Sequence, residues 1–101
     1  MDYSQIERMS SQEKLRYLAT RVSSPLEDED ERHAQSLAVA ERKYGDFSVI
    51  DEEIRQIGRS LNDNGGLGRM QLVAYRAKAI DRNVDMDRIS GLWSGTGQWL
   101  A

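Results

Sequence analysis

Cysteine is absent from this 101-residue chain, which removes disulfides, thiolate-held zinc and thiol nucleophiles together. A thiol-free chain suits a reducing cytosol, and a cytoplasmic location is the expectation. Long apolar runs are missing too, so no membrane span is expected. The opening Met1-Asp2-Tyr3-Ser4-Gln5 has no apolar stretch of the kind that drives secretion, so no signal peptide is expected either. Histidine occurs once, at His33, which rules out a paired-histidine metal site. Proline also occurs once, no repeat of solenoid length is visible, and no segment alternates with period two. Strands are therefore not assigned. The chain reads as all-α, a compact bundle of four to five short helices in a single domain over 1–101. A domain of this length buries roughly two-thirds of its unfolded surface, which sustains one core without staples.

Charge is present in quantity but unevenly placed. The chain carries 17 acids and 14 bases, a net charge of −3. Residues 27 to 31 are five consecutive acids, and the remainder holds 12 acids against 14 bases, close to balance. Eleven of the bases are arginine. That bias can serve bidentate pairing with carboxylate or phosphate, although genome composition produces it as well.

Helix signals divide the chain. Ser10 followed by Glu13 has capping-box spacing, and Leu15, Leu18 and Val22 then fall on one face, with Ile6 and Met9 in a short turn before them. A second start is expected at Ser24, with Pro25 in the first helical position and Glu27 completing the box. Its stripe is Leu26, His33, Leu37, Ala40 and Tyr44, with Gly45 as terminator. A third helix begins near Ser48 and carries Ile50, Ile54, Ile57 and Leu61 at four-three-four spacing. Gly58 lies beside that stripe and offers room for a close neighbour. The fourth runs from about Leu67 to Arg82, with Leu67, Met70, Val73, Ala74, Ala77 and Ile80 on one face and Leu72, Tyr75 and Ala79 on a second. Apolar over two faces, it is expected at the centre, with the third helix against it and the second outside, its acids in water. A short fifth helix, capped by Asp85, holds Met86, Ile89, Leu92 and Trp93. Residues 94–101 then form a Gly- and Thr-containing tail.

Chemical signatures are few. Glu27 and Asp30 have the three-residue spacing of carboxylate pairs in helical magnesium enzymes, but consecutive acids radiate around a helix, and a hard cation needs convergent oxygens. Complementing the helix dipole explains the run better. His33, at the edge of an apolar stripe, reads as a packed histidine, and no serine stands in a nucleophile elbow. Asn64-Gly65-Gly66-Leu67-Gly68-Arg69 opens a helix, yet phosphate-binding glycine loops follow a strand and this one follows a helix. No catalytic residue, cofactor or metal is expected.

Two functional readings remain. One is a small non-catalytic protein-interaction or regulatory module, with self-association among its forms, using Leu92, Trp93, Trp99 and Leu100 as partner contacts, because tryptophan concentrates at interface hot spots. The competing use of those side chains is to fold back and plug the bundle. The other reading is an accessory nucleic-acid binder with a helix-turn-helix-like pair over 48–82, in which Arg69, Arg76 and Lys78 meet phosphate. An apolar fourth helix and net acidity disfavour it.

Overall fold

The computed structural model describes residues 3–42 and 47–99. Tyr44, Gly45 and Leu100 lie outside the described residues. Six helices follow one another: α1 (Tyr3–Arg8), α2 (Ser11–Arg21), α3 (Asp28–Arg42), α4 (Phe47–Asp63), α5 (Gly66–Ile80) and α6 (Met86–Trp93). No strand occurs among the described residues. The sixth helix, beyond the expected four to five, is α1, where sequence spacing shows only a turn around Ile6.

The helix starts follow local chemistry. Ser10 caps α2 by accepting the Glu13 amide at 3.3 Å, and Asp85 caps α6 by accepting the amides of Asp87 and Arg88. The start of α3 departs from expectation. Residues 25 to 27 are not helical, and Ser24 and Pro25 are neither cap nor first turn. The Glu31 carboxylate reaches back to the Leu26 amide at 2.9 Å instead, which fixes a later start. Arg21 Nη1 donates to Pro25 O at 3.1 Å, a carbonyl that a helix starting at Ser24 would use, and Arg76 Nη1 holds Val22 O at 2.8 Å, just ahead of that start. Leu26 then drops into the core as part of an extended entry.

The core is organised around α5, which packs against each of the other five helices. Met70, Val73, Ala74 and Ala77 have no exposed surface. Its second face is only partly covered, since Leu72 is buried while Tyr75 and Ala79 are exposed, and Ile80, expected on the first face, is 38% exposed at the helix end. Ile50, Ile54 and Leu61 of α4 are buried as their spacing predicts, and Ile57 packs against the cluster. Leu15 does not join Leu18 and Val22; it stands 58% exposed on α2.

Two glycines permit backbones and rings to meet. At Gly68 an added Cβ would lie 2.1 Å from the Tyr3 carbonyl, so α1 reaches α5 only because that side chain is missing. At Gly58 an added Cβ would lie 2.5 Å from Trp93 Nε1. The neighbour that Gly58 admits is thus an indole from α6. Full burial of that ring is worth about 5 kcal/mol of transfer free energy as an upper estimate.

One placement reverses expectation. α3 packs on both α4 and α5, and its acids are not all in water. Asp30 is 6% exposed, within the stripe that Leu26, Ala34 and Leu37 define. A carboxylate there stays ionised only with partners, and the partners are described next.

Candidate functional site

The acid run divides between structure and solvent. Asp30 accepts from Arg69 Nε at 2.7 Å and from the Tyr3 hydroxyl at 2.6 Å, which ties α1, α3 and α5 together. Arg69 is itself buried; its Nη1 donates to Asn64 O at 2.9 Å, and its guanidinium lies 5.6 Å from the Tyr3 ring centroid. Burial opposes the charge on Arg69, but the Asp30 hydrogen bond and charge more than offset this and hold the guanidinium more firmly protonated. Burial, followed by the Asp30 carboxylate, pushes the Tyr3 phenol up to about 12. Glu31 forms a second bridge: Arg76 donates to it from Nε and Nη2, both at 2.9 Å. The hydrogen bond from Arg76 is the largest cause holding its carboxyl below the usual range. Glu27, Asp28 and Glu29 remain exposed. Asp30, half of the spacing that suggested a magnesium site, is committed to Arg69 and Tyr3. Among the described residues no group of three or more His, Asp or Glu is placed to hold a metal.

The same geometry locates the three bases considered for nucleic acid. Arg69 and Arg76 are bound within the bundle, and Lys78 Nζ donates to the Arg82 and Val84 carbonyls at the end of α5. They point to internal acceptors. The tail residues are placed just as definitely. Trp93 is 0% exposed and donates from Nε1 to Ile54 O at 2.8 Å. Trp99 is 8% exposed, meets Trp93 edge to face at 5.0 Å between centroids, and donates to Ser90 Oγ at 3.1 Å. Leu92 packs against the core cluster. The tail through Trp99 folds back on α6.

An open cleft lies elsewhere, between α3 and α4. A cleft of about 680 Å³ is walled by Arg32, His33, Ser36 and Val39 from α3 and by Glu53, Gln56, Ile57 and Ser60 from α4. These positions recur at three and four residues on each helix, so the cleft is two adjacent helix faces. Half-buried His33 places its Nδ1 2.9 Å from Glu29 O, and because a carbonyl only accepts, Nδ1 donates in this contact. His33 makes no hydrogen bond to a serine or carboxylate side chain among the described residues, so no acid-base dyad is assembled there.

Apolar surface accompanies this cleft. Val39 on its wall is 54% exposed, and Val49, one turn before Glu53 on α4, is 56% exposed. Of the cleft residues, sequence reasoning singled out His33 and Ile57, both as packed positions. The others sit on mixed polar faces whose juxtaposition depends on how two helices are rotated, which periodicity does not report. What the fold and site define is a six-helix bundle with an open, partly apolar helix-helix cleft. No family model, no curated protein and no solved structure matches the chain.

Proposed function

We propose that this protein is a small, non-catalytic protein-interaction module whose contact face is the α3–α4 cleft. The observation that carries the reading is the exposure of Val39 on the wall of the α3–α4 cleft and of Val49 one turn before Glu53 on the opposite wall. Single exposed aliphatics are ordinary on any surface, but one in a groove with another one turn from its wall offers anchors of the kind a partner helix or loop uses. Arg32, Ser36, Gln56 and Ser60 supply a polar rim, which interfaces generally have. The contact face is thus moved from the tail, where Trp93 and Trp99 serve the core, to α3 and α4. The cysteine-free composition supports a cytoplasmic setting. The nucleic-acid alternative over 48–82 draws no support from Arg69, Arg76 and Lys78, which donate to acceptors within the chain.

A photo-crosslinking residue at Ser36, in the cleft, and another at the exposed Ala19 of α2 test the proposal in the native cell. A discrete adduct from position 36 alone, weakened by Val39→Lys, is the expected result. An adduct at twice the mass of the chain identifies self-association as the form the interaction takes. Equal labelling from both positions, or none from position 36, overturns the reading.

A further inference from the structure

A second groove, between α5 and α6, has chemistry of a different kind. It measures about 350 Å³ and is lined by Leu67, Gln71 and Tyr75 of α5, by Met86 and Asp87 of α6, and by Trp99. Gln71 Oε1 has no hydrogen-bond partner and is shut off from water, and no other buried side-chain nitrogen or oxygen among the described residues is left so. An orphaned buried acceptor costs about 1–3 kcal/mol, so a donor brought by a ligand recovers what the fold leaves unmet. Gln71 is among the side chains that line the groove, and the torsion that ends a glutamine side chain is broad.

Three further features select the donor. Asp87 is the one charged side chain among the described residues lining the groove, and it is exposed. Tyr75 is 37% exposed and its ring offers a π face on which a planar cation stacks, and the largely buried Trp99 indole forms part of the wall. The positive end of α6 is nearby, but Asp85 accepts two of its free amides and Asp87 adds a second negative charge to the first turn. Leu67 and Met86 supply apolar contact for a short stem. A neutral donor satisfies Gln71 alone, and an anion meets Asp87. A planar N–H cation satisfies every group named.

We propose that this groove binds a guanidinium or amidinium group on a short apolar stem, with Gln71 Oε1 and the Asp87 carboxylate as acceptors and Tyr75 and Trp99 as aromatic walls. The site is independent of the α3–α4 cleft and stands or falls separately from it. The volume suits a side-chain-sized ligand, at the small end of ligand pockets. The cation is presented either by a free small molecule or by an arginine side chain of another protein.

Titration of the folded full chain with ethylguanidine, followed by ¹⁵N–¹H NMR, tests the assignment. Saturable shifts of the Trp99 indole N–H and the Gln71 side-chain amide are expected, with ethylurea, the neutral isostere, producing none. Gln71→Leu removes the acceptor and an unmet polar atom together, so binding weakens about tenfold while the thermal midpoint does not fall. Asp87→Asn, a surface change, weakens binding about threefold. A blocked tripeptide with arginine at its centre separates the sources: tighter binding than ethylguanidine assigns the site to a protein arginine, weaker binding to a free small cation. Absence of saturable shifts, an equal response to ethylurea, or unchanged binding in folded Gln71→Leu overturns the proposal.

Discussion

Trp93 lies against Gly58, and the two residues define how α6 meets α4. The indole Nε1 donates to the Ile54 carbonyl, one turn before Gly58, and the ring occupies the space a side chain at position 58 would fill. A hydrogen bond to a helix carbonyl and a missing Cβ thus act on the same ring. Gly→Ala in an open helix stabilises by about 1 kcal/mol. Here the new methyl would sit 2.5–2.8 Å from three atoms of a fully buried ring. Gly58→Ala is therefore expected to destabilise by about 1–3 kcal/mol, since the indole has no flexible end to move aside. Urea denaturation measures the loss, and the near-UV dichroism of Trp93 should weaken in the folded variant. A variant as stable as wild type would show that α6 shifts without penalty.

The Asp30–Arg69 pair predicts a strongly non-additive mutant cycle. Asp30→Leu strands a buried guanidinium, and Arg69→Met strands a buried carboxylate beside the Tyr3 hydroxyl. Each single change should cost about 3–5 kcal/mol. Asp30→Leu combined with Arg69→Met removes both charges and should recover much of the loss, because the desolvation of the pair goes with them. Chemical denaturation of the four proteins gives the coupling. Additive losses would mean that the ion pair contributes little and that packing around the two residues dominates.

Asp30 also shows where sequence reasoning runs out. Local signals were legible: the Ser10 and Asp85 caps, the isoleucine stripe of α4 and the centrality of α5 all follow from spacing. The stripe read from the sequence runs through His33 and leaves Asp30 out, and five consecutive acids suggest water. The chief partner of Asp30 is 39 residues away, a distance over which no spacing rule operates. The later α3 start has a related cause. Ser24-Pro25 is a sound local start, but Arg21 takes the Pro25 carbonyl, and Glu31, held by Arg76 from another helix, takes the Leu26 amide. The α3–α4 cleft was invisible because each wall alone is an ordinary polar helix face.

The perturbed ionisable groups set a pH window for stability. Glu31 titrates lower in the folded chain than in the unfolded one, chiefly through Arg76. Its contribution is present above the unfolded carboxylate range and is lost as pH falls through the folded value. Tyr3 is raised to about 12 from 10.0, so between those values the folded state holds a proton that the unfolded state releases. Its contribution is complete below pH 10 and declines as pH rises towards 12, by an amount on the order of 2 kcal/mol. Denaturation midpoints across pH should fall at both ends. Tyr3→Phe should remove the part of the alkaline decline that this phenol causes, and Glu31→Gln the corresponding acid part. An alkaline limb unchanged in Tyr3→Phe would place its cause elsewhere.

Trp99 distinguishes a tail that serves its own bundle from one that serves a second copy. Its edge contact with Trp93 and its hydrogen bond to Ser90 are both within the chain. Trp99→Ala removes both, and its cost should fall in the about 3–5 kcal/mol range for deleting a buried large aromatic. The decisive property is concentration. An intramolecular contact has the same effective molarity at any dilution, so the difference in midpoint between wild type and Trp99→Ala should stay constant from micromolar to millimolar protein. A contact made between copies follows mass action, and the difference would then grow with concentration. Light-scattering mass on the same samples separates the cases, since a growing difference accompanied by a rising wild-type mass would assign the Trp99 pocket to a partner copy.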